Sequence, residues 1–290
     1  MPTKIRNLYT SDIDAANEIL VAAFQSPRTY QDDLSFYLAL APDNWYMAEW
    51  DGIAAGLVGV VNYGPMAYVG FMAVHPDFQR KGIAEALMKH GLAEMEAAGC
   101  PLALLDASVM GEPLYRKLGF VDDGQSAQYL IDGTAVRKPV EFSSIPIEGI
   151  TPRLMRPTDI PKLVQLDTPI FGANRERLFT LLAETLPERS FVAENAAGQL
   201  VGFVFSQQKR IGPMVAVNPQ AAEALIQAAL SVPLEGRVAF IAPVINPYAH
   251  ELVLKYGFEH LRTMPHMRYG GTQHPGQREL IYGLMSFAIG

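Results

Sequence analysis

The stretch Val74–Met95, VHPDFQRKGIAEALMKHGLAEM, contains the end of a strand, a short polar turn and an amphipathic helix. Apolar residues at helical spacing predict one buried helix face; they are Ala84, Leu87, Met88, Gly91, Leu92 and Met95. The helix start at 79–84 has the pattern Q-R-x-G-x-A. Glycine lets the backbone approach a ligand closely, and the first N–H groups of a helix lack internal partners and favour negative charge. With Arg80 and Lys81 beside it, this helix start predicts a pyrophosphate-binding site.

The same stretch resembles motif A of the GNAT superfamily of N-acetyltransferases, [QR]-x-x-G-x-[GA] after a strand that ends in V-x-P. Here the strand is Tyr68–Val74, and it ends in Val74-His75-Pro76. The segment 105–120, LDASVMGEPLYRKLGF, continues the resemblance, since LYRKLGF is similar to helix 4 of the superfamily and the strand after it. Two motifs in the right order and at the right separation make this resemblance specific.

Length and composition exclude several other classes. The chain has 290 residues, 49% of them hydrophobic and 18% charged, which is typical of a folded protein with room for two domains. A formal charge of −7 and no basic tract give no reason to expect a nucleic-acid or membrane partner. The single cysteine, Cys100, and the lack of an apolar leader predict a cytoplasmic protein, which we expect to be a monomer or homodimer.

Turn and periodicity signals predict the element order β-α-α-β-β-β-α-β-α-β-β for the first half of the chain. This is the GNAT order, and the resemblance implies an α+β (mixed α/β) fold, whose mixed, mostly antiparallel and twisted sheet is flanked by helices. The predicted helices are 13–24, 32–40, one that starts within 79–84 and runs to about 98, and 112–118. The predicted strands are 5–8, 45–49, 56–62, 68–74, 102–106, 119–121 and 128–131.

The second half repeats the first at low fidelity. RLMRPTD at 153–159 matches RNLYTSD at 6–12, MVAVNP at 214–219 is similar to FMAVHP at 71–76, and LVLKYGF at 252–258 matches LYRKLGF at 114–120. We therefore predict two tandem GNAT-like units: a catalytic domain with the acetyl-CoA site at 1–135, a proline-containing linker at 136–151 and a degenerate domain at 152–290. The second unit lacks the glycine and basic residues of the helix start, since it reads NPQAAE at 218–223.

The resemblance implies how acetyl-CoA is bound. In the superfamily, the strand before motif A splays open, and its N–H groups hold the pantetheine arm and polarise the thioester carbonyl, which is oxyanion-type stabilisation. Carried over to this chain, the predicted contacts are Met72, Ala73 and Val74 for that arm, through their backbone, and Gln79, Arg80, Lys81, Gly82, Ile83 and Ala84 for the pyrophosphate.

Tyr115 is the predicted catalytic acid. It lies four residues before Gly119, where the helix 4 tyrosine of the superfamily can protonate the departing thiolate, and a positioned acid contributes roughly 10² to 10⁴ in rate. Ser108 is predicted to assist near the thiol. The aligned position in the second half is Val253, which agrees with a loss of activity there.

The acceptor site is expected between the loop that joins helices 1 and 2 and the last strands, and the predicted contacts are Tyr30, Asp33, Tyr68 and Asp122. Carboxylates in a pocket would suit an ammonium or polyamine substrate; solvated acids at a helix start and a turn are the alternative. The general base stays open between His75, because an imidazole can act as a base near neutral pH, and Glu49 or Asp33 acting through water.

These features predict an acyltransferase: an acetyl-CoA-dependent N-acetyltransferase that acts on the primary amine of a small molecule (amino acid, amine or polyamine) by direct attack. Two alternatives remain, acetylation of a protein lysine or N-terminus and a coenzyme A-binding sensor without activity. We expect acetyl-CoA as the cofactor and no metal ion.

Overall fold

The computed structural model describes residues 3–133 and 149–290, and the chain divides into two compact units. Unit 1 comprises Met1–Val121, Arg268–Thr272 and Ile289; unit 2 comprises Asp122–Met267, Gln273–Ala288 and Gly290. Over the described residues, no helix has both the length and the apolar character needed to cross a membrane. No cluster of three or more potential metal ligands occurs in that same part of the chain.

Unit 1 alternates helices with a sheet whose spatial order is β1-β2-β3-β4-β5. Its strands pair antiparallel except for the last two, β4 and β5, which are parallel. The elements are β1 Lys4–Asn7, α1 Ile13–Phe24, α2 Gln31–Leu40, β2 Trp45–Trp50, β3 Ile53–Asn62, β4 Ala67–Val74, α3 Ile83–Ala97, β5 Ala103–Asp106 and α4 Glu112–Lys117. This confirms the predicted mixed fold.

The two faces of the unit 1 sheet are covered by different helices. Leu87, Met88, Leu92 and Met95 of α3 are buried, as their spacing predicted. Gly91 lets α3 come close to the sheet, because a Cβ there would lie 2.5 Å from Cγ2 of Val60. On the opposite face, Tyr37 of α2 stacks on Trp45 with ring centroids 5.6 Å apart.

Unit 2 repeats the element order of unit 1. Its strands follow the order β12-β6-β11-β10-β9-β8-β7, β10 and β11 are parallel, and a further strand, β13, pairs antiparallel with β10. The elements are β6 Val121–Asp132, β7 Thr151–Leu154, α5 Ile160–Phe171, α6 Glu176–Thr185, β8 Ser190–Glu194, β9 Leu200–Ser206, β10 Arg210–Ala216, α7 Pro219–Leu230, β11 Arg237–Pro243, α8 Pro247–Lys255, β12 Glu259–Tyr269 and β13 Ile281–Gly283.

The compact units do not follow the predicted domain limits. We predicted two separate strands of the first domain at 119–121 and 128–131. In the structure, the first segment ends where strand β6 begins, and the second lies within β6. β6 pairs with β11 from Ser126 to Asp132. This pairing buries Ala127 and Tyr129 in the core of unit 2. Of the predicted linker 136–151, residues 136–148 lie outside the described residues. The predicted roles of the two domains stay a prediction.

An ion-pair network occurs once in each unit and supports the internal repeat. It joins an arginine to an aspartate and a glutamate: Arg6, Asp12 and Glu49 in unit 1 and Arg153, Asp159 and Glu194 in unit 2. Each arginine contacts both aspartate oxygens at 2.7–2.9 Å and a glutamate oxygen at 2.6 Å. The tandem form that the sequence predicted is therefore present in the structure.

Candidate active site

Strands β4 and β5 pair over a short distance and then separate. Their paired residues are Ala67 with Ala103 and Tyr68 with Leu104. Beyond Tyr68, β4 keeps β3 as its partner, and no other described strand pairs with it. We call the gap between the diverging ends of β4 and β5 the fork.

The backbone of β4 presents donors to the fork. Phe71 has φ of 49° at an irregularity in the β3–β4 register. The N–H of His75 donates to the carbonyl of Ala55 in β3 at 2.9 Å. Because amide directions alternate along a strand, the N–H groups of Met72 and Val74 point away from β3 and into the fork. The amide of Ala73, which was also predicted to bind pantetheine, points toward β3.

The loop after β4 leads to an uncapped helix start. Arg80 and Gly82 have positive φ, 61° and 80°, and no side chain caps α3 at Gly82. A Cβ on Gly82 would meet no atom within 4 Å, so the space in front of the helix is open. Backbone N–H groups around such left-handed residues and at a helix N-terminus form an anion-binding concavity. These residues therefore fit a phosphate group.

The side chains of this loop have separate positions. Nε2 of Gln79 donates to the carbonyl of Val74 at 3.2 Å and fixes the loop to β4. The ammonium of Lys81 lies over the rings of Trp50 and Phe78, at 5.2 and 4.9 Å. Arg80, Lys81 and Gly82 are exposed, Ala84 is half-buried and Ile83 is buried and anchors the first turn of α3.

Tyr115 lies on α4 and is buried, with 7% of its surface exposed. Burial raises the pKa of its phenol to about 12. Its hydroxyl lies against Gly111, where a Cβ would be 3.2 Å from Oη. At neutral pH the phenol is therefore protonated and has a proton or a hydrogen bond to donate.

The structure gives Ser108 a local role. Its Oγ accepts a hydrogen bond from the N–H of Gly111 at 3.1 Å, and its carbonyl accepts one from Glu112 at 2.9 Å. Both contacts shape the turn that begins α4. The side chain itself is exposed.

The predicted acceptor residues lie in a different environment from the carboxylate pocket proposed above. Tyr30 is buried and packs edge-on against Phe71 at 5.5 Å. The Arg28 guanidinium lies 4.3 Å from the Tyr30 ring centroid and pairs with Asp33 at 2.9 Å. This wall of the unit is therefore aromatic, and the charge of Asp33 is balanced by a neighbour. Asp122 begins unit 2 and is exposed.

Tyr68 has a partner that sequence reasoning missed, because its hydroxyl donates a hydrogen bond to Oδ2 of Asp106, the last residue of β5. Two of the bases left open in the sequence are differently placed. Glu49 is held by Arg6 at 2.6 Å, and Nδ1 of His75 accepts from the N–H of Asp77 at 3.4 Å in an exposed turn. The sequence did contain a signal for Asp106: it is an aspartate at the end of a predicted strand, within the segment 105–120 that resembles the superfamily.

In unit 2 the corresponding fork is filled. Strands β10 and β11 also pair only at Arg210 with Ala239 and Ile211 with Phe240. Beyond that point the C-terminal strand β13 pairs with β10, and the N–H of Leu284 donates to the carbonyl of Ile241 in β11 at 2.7 Å. β13 and Leu284 therefore occupy in unit 2 the gap that holds no described strand in unit 1.

Two other site features of unit 1 have no counterpart among the described residues of unit 2. β10 ends at Ala216 and α7 begins at Pro219, so there is no long loop, and the side chain of Asn218 caps α7 by accepting from the N–H of Ala221 at 2.8 Å. The carbonyl of Val253 accepts a 3.0 Å hydrogen bond from Phe258, as that of Tyr115 does from Phe120. These matched contacts put an apolar side chain at the position of the phenol.

Comparisons with known proteins agree with this architecture. The model of the acetyltransferase (GNAT) family matches residues 13–120, and that of an acetyltransferase (GNAT) domain matches residues 163–283, so the two matches together cover more than half of the chain. A search of curated protein sequences gave no match.

Several solved structures share the fold. One is a candidate acetyltransferase from Pyrococcus horikoshii, with 23% identity over 99% of this chain and 96% of that chain and a TM-score of 0.82. A GCN5-related N-acetyltransferase from Sphaerobacter thermophilus has 17% identity over 94% and 98%, with a TM-score of 0.71. A tandem GNAT protein from the clavulanic acid biosynthesis pathway has 15% identity over 94% and 100%, with a TM-score of 0.63.

Proposed function

The chain belongs to the GNAT acetyltransferase family, and from this premise we propose that unit 1 transfers the acetyl group of acetyl-CoA to the primary amine of a small molecule by direct attack. The protein is an acyltransferase, and acetyl-CoA is the acyl donor that its family generally uses. The observation that carries the proposal is the difference between the forks: the gap between β4 and β5 has no described strand in it, whereas β13 fills the gap between β10 and β11.

The geometry of unit 1 supports the proposed contacts with the acyl donor. A bound acetyl-CoA supplies the thioester carbonyl and the thiolate leaving group. The N–H groups of Met72 and Val74 would hold the arm and stabilise charge on the carbonyl oxygen. Gly82, Ile83 and Ala84 would present N–H groups to the pyrophosphate, and Arg80 and Lys81 would add positive charge. Gln79 would keep the loop attached to β4, since it bonds the carbonyl of Val74.

Tyr115 would act on the leaving group. Because burial raises its pKa to about 12, it stays protonated at any pH where an amine reacts. A thiol has a pKa of roughly 8.5, so complete transfer from the phenol is uphill, and a hydrogen bond to the developing thiolate is its main contribution. Ser108 would hold the turn before α4, since its Oγ accepts from Gly111.

The acceptor side supports an amine with an apolar portion. Tyr30 and Phe71 form an aromatic wall on the α1–α2 side of β4, and Asp33 is paired with Arg28. A polyamine would gain little from a carboxylate that already has a cation beside it. An arylalkylamine or an aromatic amino acid would bury its ring against this wall.

The test measures thiol release from acetyl-CoA with a disulfide reagent, using separate panels of small amines and of lysine-containing peptides. We expect turnover with the small amines, strongest for those with an aromatic group, and an N-acetylated product by mass spectrometry. Transfer to peptides alone would replace the small-molecule proposal with protein acetylation. Tight binding of acetyl-CoA without transfer to any member of either panel would refute the proposed activity.

A further inference from the structure

A phenol and a carboxylate meet where the fork begins. Tyr68 and Leu104 are the last paired residues of β4 and β5, and Asp106 follows two residues later at the end of β5. The hydroxyl of Tyr68, a residue with 2% of its surface exposed, donates to Oδ2 of Asp106, which is half-buried. The carboxyl group of an ionised aspartate is an acceptor with about four lone-pair sites.

The side chain of Tyr68 lies on the α1–α2 face of the sheet. Gly91 of α3 contacts Val60, which pairs with Val69, so Val69 faces α3. Side chains alternate along a strand, and Tyr68 therefore faces the other side. The aromatic wall of Tyr30 and Phe71 lies on that same side, and Tyr68 holds the carboxylate of Asp106 at the start of the fork.

Unit 2 shows what the fold itself requires at this position. The hydroxyl of Ser206 donates to the carbonyl of Ala229 in α7, so Ser206 and its pairing partner Ile211 face that helix. Ile211 therefore corresponds to Val69, which faces α3 in unit 1, and Arg210 corresponds to Tyr68. Arg210 pairs with Ala239. Counting two residues along β11, as from Leu104 to Asp106, gives Ile241 as the counterpart of the aspartate.

Ile241 is apolar and 3% exposed. The same fold therefore closes this position without a carboxylate, and burying one costs free energy. The carboxylate is present in the unit whose fork holds no described strand and is replaced in the unit whose fork is filled by β13. A role in chemistry accounts for this difference, whereas a role in folding does not.

We propose that Asp106 is the catalytic base toward the acceptor amine and that Tyr68 is a positioning residue that orients its carboxylate; this rests on the proposed function. Glu49 and Asp33 are each paired with an arginine, at 2.6 and 2.9 Å, and neither lies on β4 or β5. Asp106 is the last residue of β5, at the fork itself.

The acceptor arrives as an ammonium and gives one proton to Asp106, which passes it to water. The freed nitrogen pair attacks the carbonyl carbon of the acetyl thioester, the C–N bond forms, and the C–S bond breaks with its electron pair going to sulfur. The nitrogen loses its second proton as the amide forms, and the thiolate gains one on the side of Tyr115. The products are an amide, a thiol and one proton released to solvent.

The test compares Asp106→Asn with the matched control Asp43→Asn, which alters an exposed aspartate just before β2. For the best amine of the panel, we expect Asp106→Asn to lower kcat at pH 7 by roughly 10² to 10⁴, with unchanged affinity for acetyl-CoA. The remaining rate of the variant should rise about tenfold per pH unit toward the pKa of the amine, because only amine that is already neutral can react. Tyr68→Phe should shift the pH profile with a smaller loss in kcat, and Asp106→Glu should recover part of the rate.

The outcomes separate the two proposals. If the wild type transfers acetyl groups and Asp106→Asn keeps its kcat and pH profile, the role of Asp106 is overturned while the proposed function stands. If the wild type binds acetyl-CoA and transfers nothing, the proposed function fails, and the role of Asp106 with it. If Asp106→Asn does not fold, the pH profile of Tyr68→Phe decides, and an unchanged profile overturns the proposal.

Discussion

Replacing Gly82 with glutamate should weaken acetyl-CoA binding about 100-fold without unfolding unit 1. The position has φ of 80°, and a Cβ there meets no atom within 4 Å, so the added side chain extends into the space in front of α3. The left-handed backbone costs a non-glycine residue roughly 1–2 kcal/mol. A carboxylate about 5 Å from one phosphate charge repels it by roughly 3 kcal/mol at an effective dielectric constant near 20, which is about a 100-fold loss of affinity.

Gly52 provides a matched control. It lies in the β2–β3 turn with φ of 78°, and a Cβ there also meets no atom within 4 Å, so Gly52→Glu carries the same backbone cost and the same charge. Both variants should lose similar stability in urea unfolding, and only Gly82→Glu should lose binding. Tryptophan fluorescence is a suitable assay, because Trp50 lies 5.2 Å from the ammonium of Lys81. Wild-type affinity of Gly82→Glu would refute the pyrophosphate site; an equal loss in Gly52→Glu would assign the effect to strain.

Three further predictions concern the phenol and the repeated features. Tyr115→Phe should lower kcat by roughly 10² or more with little change in acetyl-CoA affinity; Tyr282→Phe, at a buried phenol whose pKa is also raised to about 12, is its control in steady-state kinetics. Asn218→Ala should reduce the stability of unit 2 by about 1 kcal/mol in urea unfolding and leave kcat unchanged, because it removes only the cap of α7. Arg153 holds the pKa of Asp159 below its usual range; the stability this provides is present above the unfolded-state pKa, near 3.9, and is lost as pH falls through the folded-state pKa. Arg153→Met should therefore flatten the acid limb of a stability–pH curve, and an unchanged limb would contradict this assignment.

The features that the sequence predicted well depend on local pattern. The spacing of Leu87, Met88 and Leu92 gave the buried face of α3, and the helices of the first half begin and end within one or two residues of the predicted limits. The register in which strand residues pair depends instead on tertiary contacts. The sequence match of 71–76 with 214–219 differs by one residue from the correspondence that the structure gives. Gly56 lies against Ala73 as Gly202 lies against Val215, so Ala73 corresponds to Val215.

Three features of the site could not be predicted from the sequence, each for a physical reason. Strand β13 has only three residues, which is too few to show the alternation of apolar and polar residues typical of a strand. Its partner β10 is far away in the sequence. The partner of Asp33 is Arg28, which no helical spacing indicates. The irregularity at Phe71 changes which amides of β4 face the fork, so a residue-by-residue transfer included Ala73, whose N–H points to β3.

The two forks follow from one requirement. A strand edge inside a folded unit leaves N–H groups that need partners, and each unpaired group costs roughly 1–3 kcal/mol when buried. Unit 2 meets this need with its own chain, because β13 pairs with Met214 and Val215, the counterparts of Met72 and Ala73. No strand of the described residues takes this place in unit 1, so the amides at its fork need water or an extended ligand with polar groups of its own. The pantetheine arm of acetyl-CoA is such a ligand, and the positions where unit 2 has become apolar, Ile241 and Val253, are those where unit 1 keeps a carboxylate and a phenol.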